Sequence, residues 1–186
     1  SPAATHLDRC LTCRSCETTC PSGVRYGRLL DIARGLMASR VRRPLMTSLT
    51  SLLLRLVVPH PALFGRLLQL GRWFSPVLPE KLANKIPNAQ QVIPVTVSKH
   101  DRSVIVLQGC VQRAATPNVN RALEVLLDEQ HISVEYIENE GCCGALDYHL
   151  SAHEQGMHRM RRLIDELYPR LSSIEAIVSS ASGCGV

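Results

Sequence analysis

At 186 residues, with 45% hydrophobic and 20% charged side chains, the chain has room for one ordinary domain or two small ones and enough apolar content for a packed core. Its eight cysteines fall into two groups on either side of the gap from Cys20 to Cys110, which excludes the evenly stapled framework of a small secreted protein. The formal charge of +5 leaves the thiols out of the count, so it reads as solvated Lys and Arg and excludes a nucleic-acid surface as the expectation.

In chain order, the first signal is Cys10, Cys13, Cys16 and Cys20, the last followed by Pro21. This is the bacterial ferredoxin spacing for a [4Fe–4S] cluster, in which the first three cysteines hold one cubane and the fourth reaches another. Pro21 ends the loop without an N–H of its own. Zinc, which also takes closely spaced cysteine pairs, is the competing metal. No second copy of the run precedes Cys10, and the chain stops at Val186, directly after Cys184 and Gly185. It therefore reads as an internal piece of a longer subunit. No signal-peptide pattern opens it, and clustered thiols without one lead us to expect the cytoplasm.

Between Val24 and Ser39, Leu29, Leu30, Ile32, Ala33, Leu36 and Met37 recur at three- and four-residue offsets, as on an amphipathic helix. From Leu45 to Leu78 short apolar runs are punctuated by Pro59, Pro61 and Pro76. None reaches the roughly 18 to 20 apolar residues of a bilayer span. Arg55, Arg66 and Arg72, with Trp73 and Phe74, fit an interfacial membrane face, a groove for a partner subunit, or helices packed on their own domain. Pro79 to Lys99 reads as a linker.

The last third alternates: strand at Ser103–Gln108, helix near Asn118–Gln130, strand at Ser133–Glu138, helix near Ala152–Leu167, strand at Ala176–Ser180. Such alternation implies a parallel sheet with its site at the strands' carboxyl edge. Cys110 follows the first strand, Cys142 and Cys143 the second, and Cys184 the third, so all four are expected at that edge. A glycine sits beside every one of them and lets backbone wrap close to a cofactor. A Cys142–Cys143 disulfide and buried inert thiols are the other readings. His149, His153 and His158 lack the acidic partner of a hydrolytic metal motif. Asp147, Tyr148 and His149 are better placed as contacts bordering the site than as ligands.

Read together, His6 to Tyr26, Glu140 to Leu150 and Ala181 to Gly185 resemble the glycolate oxidase (glycolate dehydrogenase) iron–sulfur subunits, within the wider heterodisulfide-reductase-like Cys-Cys-Gly family. The resemblance implies that Cys10, Cys13 and Cys16 hold one [4Fe–4S] cluster and that Cys20 reaches a second, nucleated by a motif missing here, as is a second Cys-Cys-Gly domain. It implies an electron-transfer subunit without a catalytic residue of its own. FAD-bearing partner subunits oxidise glycolate to glyoxylate, and electrons pass toward membrane quinone, with the protein cytoplasmic or peripheral on the inner face of the membrane. The family's fuller pattern ends in Cys-x-x-Cys, whereas Gly185 and Val186 follow Cys184 here. Cys110, Cys142, Cys143 and Cys184 are therefore left open between a further cluster, another metal and no metal.

The expected architecture is α/β. Residues 1–40 are the second half of a helical ferredoxin-type domain, 41–100 a helical, proline-punctuated connector, and 101–186 a small three-stranded parallel Cys-Cys-Gly domain, the first copy. A thiol–disulfide redox subunit centred on Cys142 and Cys143 is the alternative function.

Overall fold

The structure, a computed structural model, describes residues 2–10, 12–40 and 44–184. Ser1, Val41 and Val186, which bound the expected segments, lie outside the described residues. Helix α1 (Pro2–Arg9) leads into the cysteine loop, which holds the single-turn helix α2 (Ser15–Thr18) and then feeds α3 (Tyr26–Arg40).

The expected helix forms, but it buries only part of its apolar stripe. The inner face of α3 is Gly27, Leu30 and Arg34, while Leu29, Ile32 and Leu36 stay exposed. Burying a guanidinium is favourable only when its N–H groups are satisfied. Arg34 meets that condition by donating to the Leu7 carbonyl from Nε (3.2 Å) and Nη2 (2.8 Å), and to the Cys10 carbonyl from Nη2 (2.7 Å). It thereby ties the end of α1 and the start of the cysteine loop to α3.

The proline-punctuated stretch folds as two helices, α4 (Leu45–Val57) and α5 (Pro61–Phe74), whose axes bend by 115° at the break. Pro61 opens α5 at a position where no N–H is needed. Among the described residues no single helix is long and apolar enough to cross a membrane. Apart from the short helix α6 (Glu80–Ala83), the linker has no regular structure, yet it is tied down by the helix beyond it. The Asn118 amide bridges it, accepting from the Ile93 N–H (3.1 Å) and donating to the Gln91 carbonyl (2.9 Å).

A three-stranded parallel sheet follows, in the order β2-β1-β3, with β1 at Arg102–Leu107, β2 at Ile132–Glu135 and β3 at Ala176–Ser179. Val104 pairs with Val134 on one side and with Ala176 on the other. The central strand reads as an unbroken apolar run because both its faces are covered, and Val104, Ile105 and Val106 are all buried. The strand ends Ser103, Ser133 and Ala176 predicted from sequence are met within a residue. Strand β2, however, stops at Glu135 and not at Glu138. Beyond it the Tyr136 hydroxyl leaves the ladder to bond the Glu124 carboxylate, and the side chain of Ile137 drops into the core with Ile105 and Leu167.

The crossover helices are α8 (Pro117–Glu129) and α10 (His153–Leu167). Two short helices that alternation alone did not indicate, α7 (Gln112–Ala115) and α9 (Ala145–His149), lie directly after cysteines. Gly144, at φ 86°, starts α9 so close to α10 that a Cβ there would sit 2.4 Å from the Gly156 carbonyl oxygen. Only glycine permits both that dihedral and that approach.

Candidate metal centre

The four downstream cysteines gather at the carboxyl edge of the sheet. Cys110 follows β1 through Gln108 and Gly109, Cys142 and Cys143 lie between β2 and α9, and Cys184 ends a 3-10 turn after β3. The Cys110 and Cys142 sulfurs share a hydrogen bond at 3.9 Å. All are free thiols, so the Cys142–Cys143 disulfide is not formed. Two thiolates on one tetrahedral metal at about 2.3 Å would stand about 3.8 Å apart, so the Cys110–Cys142 spacing suits a shared metal.

Crowding governs their protonation. The hydrogen bond with Cys142, and after it burial, pushes the Cys110 thiol far up. Cys143 is drawn down by Cys142 but carried up to about 11 by Cys184 and by burial. Cys142 is likewise drawn down by Cys110, yet ends above its usual value through Cys143 and burial. Only Cys184 is lowered, by the bond from Cys143. Four close thiols cannot all ionise unless a cation offsets the charge, and a metal that binds them releases their protons.

Buried polar side chains hold these loops in register. The Glu140 carboxylate accepts the Gln108 N–H (2.8 Å) and the Gly109 N–H (3.1 Å), which locks the loop before Cys142 onto the loop before Cys110. Asn120 donates to the Gln108 carbonyl (3.0 Å) and accepts from Gln112 (3.0 Å) and from the Ser180 hydroxyl (3.0 Å). The strand leading to Cys184 is thus tied to the other two. Asp147, 2% exposed, receives Arg55 Nε at 3.0 Å and Arg159 Nε at 2.7 Å.

The upstream cysteines are laid out differently. Cys13 and Cys16 are exposed, Cys10 and Cys20 half-buried. Thr12 and Arg14, both at φ 57°, turn the loop between them. Cys20 is held below the usual thiol range by the N–H groups of Val24, Ser22 and Gly23, and Cys13 by the Ser15 hydroxyl and N–H. N–H groups aimed at sulfur favour the thiolate that a cluster needs. Among the described residues, no three His, Cys, Asp or Glu side chains converge closely enough to hold a metal ion as they stand. The chemistry of the donors fits a thiolate-ligated cluster in both sets, with the downstream set already paired.

The histidines face the head of the chain. His149 Nδ1 lies 3.8 Å from Asp31 on α3, and burial holds this ring below its usual value. His153 stacks on Tyr148 at 4.5 Å and reaches Gly35 on α3. Both border cavities beside the upstream loop. One of 330 Å³ brings His149 together with Cys10, Thr12 and Arg34, and one of 820 Å³ brings Tyr148 and His153 together with Arg14, Arg25 and Arg28. Arg34, Glu140, Asn120 and Gln112 were not singled out from sequence. The one local signal was an acidic residue two before Cys142.

Residues 104–186 match the family model described as the cysteine-rich CCG domain. The chain is 48% identical to the glycolate oxidase iron-sulfur subunit of Escherichia coli (strain K12), over 97% of its own length and 45% of the relative's. It is 26% identical to the probable glycolate oxidase iron-sulfur subunit of Bacillus subtilis (strain 168), over 96% of its length and 46% of the relative's. It thus spans about half the length of these curated relatives. No solved structure matches it. Residues 104–186 are thus similar to the cysteine-rich CCG domain, and the chain is, over almost its whole length, similar to about half the length of the glycolate oxidase iron–sulfur subunits.

Proposed function

We propose that this chain is an electron-transfer part of a glycolate oxidase complex. It takes electrons from a flavin-bearing subunit that oxidises glycolate to glyoxylate and passes them toward membrane quinone, at the cytoplasmic face. The observation that carries this reading is the pairing of two cysteine sets, one with ferredoxin spacing and one gathered at the sheet edge with Cys110 and Cys142 at 3.9 Å. The relatives' name supports the assignment of substrate and complex.

In this reading residues 1–40 are a ferredoxin-type half-domain, 41–100 a connector and 101–186 a CCG domain. Cys10, Cys13 and Cys16 hold one [4Fe–4S] cluster, and Cys20 serves a second. Cys110, Cys142, Cys143 and Cys184 hold a further cluster or metal. Bound clusters supply one-electron carriers whose potentials follow hydrogen bonding and exposure. The chain's own residues do the rest. Arg34 fixes the carbonyl of Cys10, the N–H groups after Cys20 favour its thiolate, and Glu140 and Asn120 hold the downstream loops. No acid or base is assigned, because the organic chemistry belongs to the flavin partner.

The test is glycolate-driven dye reduction by the complex assembled from the flavin subunits and this chain. Cys13→Ser is expected to abolish dye reduction while leaving folding intact. Retained activity in that variant would contradict the reading.

A further inference from the structure

Helix α4 carries its polarity inside out, and α5 exposes a second leucine stripe beside it. On α4, Thr47, Ser51 and Arg55 recur four apart along the side nearest the protein, Thr47 still exposed and the other two half-buried. Thr47 and Ser51 border the cavity that holds Cys10 and His149, and Arg55 reaches the buried Asp147. On the other side Leu45, Leu49, Leu52 and Leu56 are all exposed. Helix α5 repeats the same offsets outward with Leu63, Leu67, Leu70 and Phe74, again all exposed, while Gly65 faces inward against Ala114. A helix surrounded by water on its outer side shows the opposite arrangement.

The charge pattern indicates what covers this face. From Ile32 to Pro79 the sequence holds seven arginines and no Asp, Glu or Lys. Among these, Arg66 lies exposed on α5 beside the leucine stripe, two turns before Trp73, which is 75% exposed. Leucine stripes bordered by the exposed Arg66 and an exposed indole, in a stretch without acidic residues, match the anionic face of a bilayer. At 13 and 14 residues the helices are each about 20 Å long, short of the roughly 30 Å hydrocarbon core. The 115° bend also keeps them from forming one straight span.

We propose that the bent pair α4–α5 docks the chain on a bilayer containing anionic phospholipid, with the leucine stripes at the acyl boundary and Arg66 and Trp73 at headgroup level. The physiological purpose rests on the proposed delivery of electrons toward the membrane. The pair contains no cysteine, so vesicle binding and redox activity are read separately and can fail separately.

The experiment is co-sedimentation of the full chain with phosphatidylcholine vesicles containing about 30% phosphatidylglycerol. The chain is expected to pellet with these, to stay in the supernatant with phosphatidylcholine alone, and to be released by salt. The exposed double variant Leu52→Glu with Leu67→Glu is expected to weaken binding more than about tenfold. The milder Arg66→Gln, which leaves the apolar stripe intact, is expected to weaken it about fivefold. The proposal is overturned if the chain does not pellet, if it binds both vesicles equally, or if binding is unmoved by the variants. It is also overturned if the chain self-associates without lipid through the leucines, which would assign the face to a second copy.

Discussion

Glu140 is buried with each carboxylate oxygen taken by one backbone N–H, those of Gln108 and Gly109. An amide in its place has a single acceptor oxygen and turns its own NH2 toward the second N–H, so Glu140→Gln breaks half the clasp and strands a buried donor. We expect a loss of about 1–3 kcal/mol in urea unfolding; an unchanged midpoint would remove Glu140 from its positioning role. Residues of this kind mark the limit of what sequence reveals. Cysteine spacing announces its chemistry locally, and all four downstream cysteines arrived at the predicted edge. Glu140, Asn120 and Arg34 act on atoms distant in sequence, and each has the look of an ordinary solvated side chain until the fold brings its partner in.

The linker before β1 shows how an irregular element is fixed. Asp128 of α8 accepts the Ser98 N–H at 2.8 Å and lies 2.7 Å from the His100 ring. The His100 hydrogen bond first, and the Ser98 N–H second, hold its carboxyl below the ordinary value of 3.8. A carboxylate lowered in the folded state stabilises the fold above its ordinary value, and that contribution is lost as pH falls through the lowered one. Stability measured against pH should therefore drop more steeply below about pH 4 in the native chain than in Asp128→Asn. Parallel curves would deny the tie. At this scale periodicity identified α3, and alternation identified the sheet with its crossover helices. It could not tell which way a stripe faces, because the buried side of α3 is set by Arg34 and that of α4 by Arg55. The five-residue α9 is too short to leave a period at all.

Across the whole molecule, α9 joins the two cysteine sets. It begins at Gly144 beside Cys143 and ends at His149, which shares a cavity with Cys10. Five residues of helix rise about 7.5 Å, so the Cys-Cys-Gly turn is coupled to the head through one short rigid element. Asp147 in the middle of α9 clamps it to α4 through Arg55 and to α10 through Arg159. The site, the head and the leucine-bearing pair thus meet at one helix. The central proposal, which takes the cluster reading of Cys110, Cys142, Cys143 and Cys184, is that both cysteine sets carry iron–sulfur redox centres. Its most direct test is iron, acid-labile sulfide and zinc analysis, with EPR after reduction, on the anaerobically reconstituted chain and on Cys142→Ser. The account predicts iron and sulfide in comparable amounts, a reducible signal, and loss of only part of both in the variant. Zinc without sulfide, or iron and sulfide unchanged by Cys142→Ser, would contradict it.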